Sequence, residues 1–334
     1  MRTITVFGAT GHQGVNCIRR IFESPQASKI RIKACCRNIT GNEFQRLPNL
    51  TDLTKFEQWR NQHLECVKLD AGDPDAVDSV LQNTDCVVLI QNPFLLDDDF
   101  QEGCRKESRI GLRVISQAIN HGVKDFVYSS VNGAGLSTEV PHFFSKKLIE
   151  NELQRRRDRF RSVQIIRPCF FMENLQIIEN VKQKLSQDRM LCLPFDGSMK
   201  LPLISFVDVG KALGDCALNP HQLDRHNGII ELCSEEISAH EMAHQISVSF
   251  QQCGYEEFPL PMQKMFSLYS AQTIHPSVEV SWKIWPSLMT FRDWASTVQW
   301  GSRTNLRAEI QKEIGLPEKQ VSAKTSKSGS GIGV

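Results

Sequence analysis

The sequence predicts an α/β fold: a doubly wound parallel sheet followed by a smaller α/β lobe. Three observations carry this. A β-branched run, Thr3 to Phe7, breaks at Gly8-Ala9-Thr10-Gly11-His12-Gln13-Gly14 and passes into a helical pattern with Val15, Ile18, Ile21 and Phe22 on one face. Strand and helix patterns then alternate as far as residue 166, which calls for parallel strands joined by right-handed crossovers. Cys86 to Ile90 is a continuous apolar run, as expected of a strand buried on both faces.

The opening stretch also carries chemistry. A strand, a glycine turn and a helix, in that order, make GxxGxxG the phosphate loop of a Rossmann-type dinucleotide site. Gly8 allows the tight turn, Gly11 admits a pyrophosphate against backbone, and Gly14 lets the helix pack closely on the strand. The free amides of Ala9, Thr10, His12 and Gln13 then face the phosphates, where the helix dipole favours negative charge. An ordinary strand–helix turn would not need three glycines at this spacing. The second strand, Ile30 to Cys36, ends in Arg37. NAD-preferring proteins usually place a carboxylate there for the ribose hydroxyl; a guanidinium suits a 2′-phosphate and favours NADP(H) over NAD(H). The plain alternative is an exposed arginine at a strand end.

Residues 38–63 form a long polar connection with a partial helix marked by Phe44, Leu47, Phe56 and Trp59. Leu64 to Leu69 reads as the third strand. Asp70 after it either meets the adenine end of a cofactor or makes a turn. Asp73 caps the next helix, with Pro74 at its first position. After Cys86 to Ile90, Gln91-Asn92-Pro93 lies at the C-terminal strand end, where ligands sit in such sheets. Asp97-Asp98-Asp99 reads as a solvated loop. A helix from about Cys104 to His121 turns Ile110, Val114, Ile115 and Ala118 inward, and Gly122 ends it. Phe126 to Tyr128 is the fifth strand, followed by Ser129 and Ser130. His142 opens a further helix and shares one face with Lys146, four residues on. The five arginines from Arg155 to Arg161 read as a solvated helix end that suits the dipole. Val163 to Ile166 is the sixth strand and leads into Phe170-Phe171-Met172-Glu173-Asn174; these aromatics either line a pocket or join the core. A helix begins at Phe206 and ends near Asn219-Pro220. A strand at 228–232 is expected to return to the main sheet, and Phe291 to Trp300 is a last packed helix.

This gives a dinucleotide-binding domain over residues 1–167, a substrate or partner lobe over 168–305, and a Lys/Ser/Gly-rich tail at 318–334 that reads as disordered. The 334 residues are ample for both units. Formal net charge is +1, so composition offers no nucleic-acid surface and no direct nucleic-acid partner is expected. The 11 cysteines stand singly apart from Cys35-Cys36, without a CxxC pair, and read as reduced thiols of a cytoplasmic protein. No apolar stretch is long enough to span a membrane, and no membrane partner is expected.

His240-Glu241-Met242-Ala243-His244 matches HExxH, in which two histidines hold zinc and the glutamate activates water. Ser238 and Glu241 also make a capping box, which already explains the glutamate. No third histidine follows at the required spacing; a distant carboxylate such as Glu279 stays open as a third ligand, but the capping box is the reading taken and no metal is expected.

GATGxxG, Arg37-Asn38 after the second strand, the HFxxK stretch His142 to Lys146, the FMEN stretch Phe171 to Asn174, and Phe291-Arg292-Asp293-Trp294 occur in this order. The set, colinear over about residues 1–300, resembles the NmrA-like family of atypical short-chain dehydrogenase/reductases, and most closely its animal branch. The resemblance implies NADP(H) in the groove. Gly8 to Gly14 would hold the pyrophosphate, Arg37 and Asn38 the 2′-phosphate side, and Lys146 the nicotinamide ribose. Asp70, Gln91 and Asn92 would line the groove, with Phe171 and Asn174 by the nicotinamide. It departs from mainstream relatives in one respect. Their Tyr-x-x-x-Lys has His142 in the tyrosine's place, and an imidazole is a general acid or base near neutral pH. Many NmrA-like proteins share that histidine and are regarded as regulators. Two functions follow as expectations. One is an NADP(H)-occupancy sensor that meets a regulatory protein partner in the cytoplasm or nucleus. The other is an NADPH-dependent reductase of quinone-like substrates, with Lys146 and His142 as its catalytic pair. A homodimer through the Rossmann domain fits either.

Overall fold

The computed structural model describes residues 1–37, 53–135, 140–271 and 276–298. Its main sheet follows the expected alternation. β1 (Arg2–Phe7), α1 (His12–Phe22), β2 (Ile30–Cys36), α2 (Leu53–His63), β3 (Leu64–Lys68), α3 (Pro74–Leu81), β4 (Cys86–Ile90), α4 (Phe100–Asn120), β5 (Asp125–Ser129), α5 (Pro141–Arg155) and β6 (Ser162–Pro168) follow in order. The chain then leaves the sheet through β7 (Phe170–Phe171), α6 (Asn174–Ile177), α7 (Glu179–Gln187), β8 (Met190–Leu193) and β9 (Lys200–Ile204). α8 (Phe206–Leu218) packs back on α1, and β10 (Ile229–Leu232) pairs parallel with β6. β11 (Glu235–Ser238), α9 (Ala239–Gln245), β12 (Ser249–Gln252), α10 (Leu260–Ser270), α11 (Val278–Ile284) and α12 (Phe291–Thr297) complete the described residues.

The seven-stranded sheet has the order β10-β6-β5-β4-β1-β2-β3, all parallel. The order reverses between β1 and β4, so a crevice opens outside their C-terminal ends. One face carries α1, α2 and α8, with Ile18, Ile21, Phe56, Val209 and Leu213 in its core. The other carries α3, α4 and α5, with Val77, Ile110, Val114 and Ile149. The long connection after β2 earns its place through α2: Phe56 and Trp59 are buried against Phe22, their rings 5.1 and 5.4 Å from it. Phe44, Leu47 and the 318–334 tail lie outside the described residues.

Two hydrophobic cores bear on the expected boundary at residue 167. A separate core holds Phe170, Met172, Leu191, Leu203, Ile237, Phe266 and Trp294. Yet α8, β10 and the segment around Trp285 and Leu288 pack into the first core. The lobe is therefore assembled from three stretches, and the chain crosses between the bodies more than once. The reason is geometric: β6 would otherwise expose an apolar sheet edge, and β10 covers it. The short strands β8, β9, β11 and β12 have four or five residues each, too few for an alternation to stand out in the sequence.

The N-terminal end of the sheet is held by an ionic clamp. Asp125, fully buried, accepts from Arg2 at 2.7 Å and from Arg161 at 2.9 and 2.5 Å. Arg2 also donates to the last carbonyls of α8, Ala217 O at 2.6 Å and Leu218 O at 3.3 Å. Replacing the buried carboxylate strands both guanidinium groups. Asp125→Ala should lower the unfolding free energy by about 2–3 kcal/mol in chemical denaturation. Glu65→Gln, which removes the exposed Arg31–Glu65 pair, should cost about 0–1 kcal/mol.

Candidate functional site

The glycine loop takes the conformation its composition implies. Gly8 has φ +74°, and a Cβ there would lie 2.4 Å from Ile90 O. At Gly14 a Cβ would lie 2.2 Å from Gly8 O, so helix and strand meet backbone to backbone. At Gly11 the nearest atom to a Cβ would be 3.5 Å away, which is ordinary contact. The protein's own packing therefore requires Gly8 and Gly14 but not Gly11, and Gly11 is the position assigned to ligand approach. α1 starts at Gly11 without a side-chain cap, leaving its first amides free for an anion. Gln13 reaches across the loop, its Oε1 accepting from Ser129 Oγ at 2.7 Å.

Arg37 stands at the end of β2, as expected, and donates to Leu95 O at 2.8 Å across the crevice. Asp70 makes a turn: its Oδ1 accepts from Gly72 N at 2.8 Å, while the carboxylate acts electrostatically on Arg37. Asn92 likewise spends its Oδ1 on Phe94 N at 3.1 Å. Asn38 lies outside the described residues.

The centre of the site is a buried ion pair. Lys146 Nζ donates to Glu107 Oε1 at 2.8 Å, Gln91 O at 3.2 Å and Ser129 O at 3.5 Å. An ammonium has three N–H donors, and all three are engaged. Glu107 is 0% exposed and also accepts from Ser145 Oγ at 2.5 Å. The pair joins α4 to α5 beneath the ends of β4 and β5.

His142 is 8% exposed, packed among Phe94, Phe100 and Phe143 with ring centroids 6.0, 5.8 and 4.8 Å away. Burial, helped by the Lys146 charge, pushes its pKa down to about 3. The imidazole is neutral at physiological pH. An expected acid–base histidine is thus a neutral donor and acceptor in an aromatic cage.

Around these groups lie buried polar atoms with no hydrogen-bond partner among the described residues: Gln91 Oε1, Tyr128 OH, Ser130 Oγ, both side-chain atoms of Asn132, His142 Nδ1 and His12 Nε2. Gln91 and Ser130 follow directly on β4 and β5, Tyr128 lies in β5, and Asn132 and His12 come three and five residues after the ends of β5 and β1. Buried polar atoms are almost always paired, so this concentration fits a polar ligand. The His12 ring stacks on Phe206 at 5.2 Å, and Phe206 meets Phe171 at 4.3 Å. Phe171 lies at this end and half-buried Asn174 opens α6 three residues on, whereas Phe170 and Met172 join the lobe's core. Phe171, half-buried, packs against the core of the main sheet, so the two neighbouring side chains serve different cores. Glu173 accepts from Phe206 N with both oxygens, at 3.0 and 3.1 Å, and burial raises its carboxyl to about 8.

Glu107, Ser130, Asn132 and Phe206 were not singled out from the sequence. Glu107 left a signal: a charge three residues before Ile110 and seven before Val114 sits on the apolar face of α4. Ser130 and Asn132 left none beyond their place after a strand. HExxH resolves as the capping box: Ser238 N and Oγ meet Glu241 Oε2, and Glu241 N meets Ser238 Oγ. His240 packs edge-on against Phe250 instead.

The model of the NmrA-like family matches residues 1–280. An NmrA-like family domain-containing protein of Dictyostelium discoideum is 25% identical over 198 residues, 57% of this chain and 58% of that protein. The chain thus matches under two thirds of that relative's length. An NmrA-like family domain-containing oxidoreductase of Aspergillus hancockii is 22% identical over 282 residues, 80% and 78% of the two chains. Neither is animal, and the expected placement in an animal branch finds no support in them. Among solved structures, a Citrobacter sp. triphenylmethane reductase complexed with NADP(H) has TM-score 0.64 at 16% identity, covering 90% of this chain and 100% of that one. An NADPH-dependent quinone oxidoreductase of Escherichia coli complexed with NADPH has TM-score 0.63 at 17% identity, covering 89% and 99%. NmrA, a negative transcriptional regulator, in complex with NADP has TM-score 0.62 at 15% identity, covering 93% and 97%. At these identities the likeness concerns the fold.

The low pKa of His142 has a stability signature. The unfolded histidine takes up a proton near pH 6.5 and the folded one only near 3, so stability is full above about 6.5 and falls as pH drops toward 3. His142→Gln should flatten that decline. The check is the difference in unfolding free energy between about pH 4 and pH 7, which should be smaller in the variant.

Proposed function

The chain belongs to the NmrA-like family, and from that premise we propose that it binds NADP(H) in the crevice above β1, β2 and β4 and reports its occupancy to a protein partner. The glycine loop, the uncapped start of α1 and Arg37 are the elements that would hold the dinucleotide. The amides after Gly8 would meet the pyrophosphate, and the Arg37 guanidinium would meet a 2′-phosphate. Phe171 and Asn174 would flank the nicotinamide end. When bound, the nicotinamide can give or take a hydride.

The observation that carries the sensor reading is the state of the two groups beside that end. His142 is neutral and has no readily released proton, and Lys146 has all three donors engaged, one by Glu107. Carbonyl reduction needs a proton delivered to the developing alkoxide. A site without a ready donor suits binding better than that chemistry. Occupancy would act on a partner only through a difference in affinity between the filled and empty forms. The solved structure of NmrA, a transcriptional regulator bound to NADP, is in keeping with such a role.

A second reading is an NADPH-dependent reductase of quinone-like acceptors. One observation favours it: Phe94, 52% exposed, lies against Phe100 at 4.4 Å beside His142, an aromatic wall suited to a planar substrate. Conjugated acceptors need less help from a general acid. The Aspergillus relative is an oxidoreductase and the E. coli neighbour a quinone oxidoreductase, in keeping with this reading.

Calorimetric titration tests the cofactor assignment. Arg37→Glu should weaken NADPH by about 10–100-fold, the worth of a charge-assisted phosphate contact, and leave NADH nearly unchanged. An equal fall for both would remove Arg37 from the 2′-phosphate. NADPH oxidation with a panel of quinones separates the two roles. The sensor reading expects consumption no faster than in a His142→Ala/Lys146→Ala double variant; a wild-type rate at least about tenfold higher would establish the reductase.

A further inference from the structure

The lobe holds a second cluster that the proposed cofactor site does not use. Cys192 lies on β8, Cys253 directly follows β12, and Glu257 closes the 3-10 turn Tyr255–Glu257. One ligand atom from each, two sulfurs and a carboxylate oxygen, lie within 4.8 Å of one another. Lys184 Nζ, from α7, sits among them, 3.3 Å from Cys192 Sγ and 2.9 Å from Glu257 Oε2. The Cys253 thiol hydrogen-bonds to Cys192.

Register decides what two such cysteines can do. β8 and β12 are parallel, with Cys192 opposite Gln251. Cys253 is two residues further along, on the same face. A strand spacing of ~4.8 Å and a rise of ~3.3 Å per residue put the two Cα atoms about 8 Å apart. Disulfides rarely tolerate more than about 7 Å. The sulfurs converge without the backbones being close enough for a covalent bridge, and that separation suits two thiolates sharing one ion. The carboxylate supplies a third donor. The cluster already holds a cation, in the form of the Lys184 ammonium.

We propose that Cys192, Cys253 and Glu257 form a site for a thiophilic divalent cation such as Zn²⁺, with Lys184 as its built-in competitor. Two sulfurs and a carboxylate match the donor set of tetrahedral zinc, with water in the fourth position. On binding, the two thiol protons leave to solvent and the ammonium swings outward; no oxidation is involved. Access fits. Cys192 is buried, Cys253 is half-buried, Glu257 is exposed, and the Lys184 side chain is 30% exposed. The ion would tie α7, β8 and the 253–257 segment together at the lobe's edge. This inference is independent of the NADP(H) reading.

The test is a Co²⁺ titration of the full chain under reducing conditions, followed by Zn²⁺ competition. The expected result is a thiolate-to-cobalt charge-transfer band that Zn²⁺ abolishes. Cys253→Ser and Cys192→Ser should each lose the band and weaken Zn²⁺ at least about tenfold. Lys184→Met should strengthen Zn²⁺ binding, because it removes the competing ammonium. That gain is not expected of adventitious binding to the other cysteines. Should buried Cys192→Ser fail to fold, Cys253→Ser and Lys184→Met, at partly exposed positions, decide the matter. No band, a band unchanged in Cys253→Ser, unchanged affinity in Lys184→Met, or a Cys192–Cys253 disulfide in the non-reduced protein would each overturn the proposal.

Discussion

A carboxylate with no access to water has to be matched by a positive charge, and the neighbourhood of Glu107 is built to that constraint. Its partner Lys146 comes from the next helix, and Ser145 supplies a further donor. Removing either charge alone would strand the other in a low-dielectric interior, so the two persist together. Because the ammonium also binds the carbonyls of Gln91 and Ser129, the pair fixes how α4 and α5 sit over the ends of β4 and β5. The crevice edge and the position of His142 follow from that arrangement.

The same pair sets the chemical character of the place. An ammonium already satisfied by a carboxylate presents little net charge outward, and it still opposes protonation of the imidazole one helical turn away. What is left facing the crevice is a ring of neutral, unsatisfied donors and acceptors with aromatic neighbours. Such a surface grips by hydrogen bonding and stacking, not by attracting ions. The end with the free amides of α1 and the Arg37 guanidinium is the opposite case. The crevice therefore divides into a half lined by free amides and a guanidinium and a half lined by neutral groups, on either side of the point where strand order reverses.

Much of this could be read from the chain before its coordinates. The central strand β4 announced itself, because a strand buried on both faces has to be apolar throughout, and the amphipathic helices between strands marked the alternation. The glycine loop was equally plain, since backbone contacts at Gly8 and Gly14 leave no room for side chains. Arg37 and Lys146 stood where strand-end and helix-face logic put them. The pairing of Lys146 was hidden, because its partner lies 39 residues away on another helix and nothing local links them. The charge state of His142 was hidden for the same reason: it depends on burial against Phe94 and Phe100, which arrive from the segment between β4 and the first turn of α4. Spacing pointed to His142 and Lys146 but not to Glu107, and tertiary packing decided what each of them meets. The lobe was the least legible part, as its strands are short and its core is drawn from scattered segments.

One topological detail bears on how the molecule is made. β10, the outermost strand of the main sheet, is translated some sixty residues after its neighbour β6. A nascent chain that has emerged only as far as β9 carries six strands of the sheet with a bare apolar margin, open to unwanted pairing. The interval is occupied by residues that build the lobe, so sheet closure waits on the lobe's first half. Vectorial synthesis thus couples the two bodies, and a ribosome stalled between them would expose a sticky intermediate of the kind that chaperones capture.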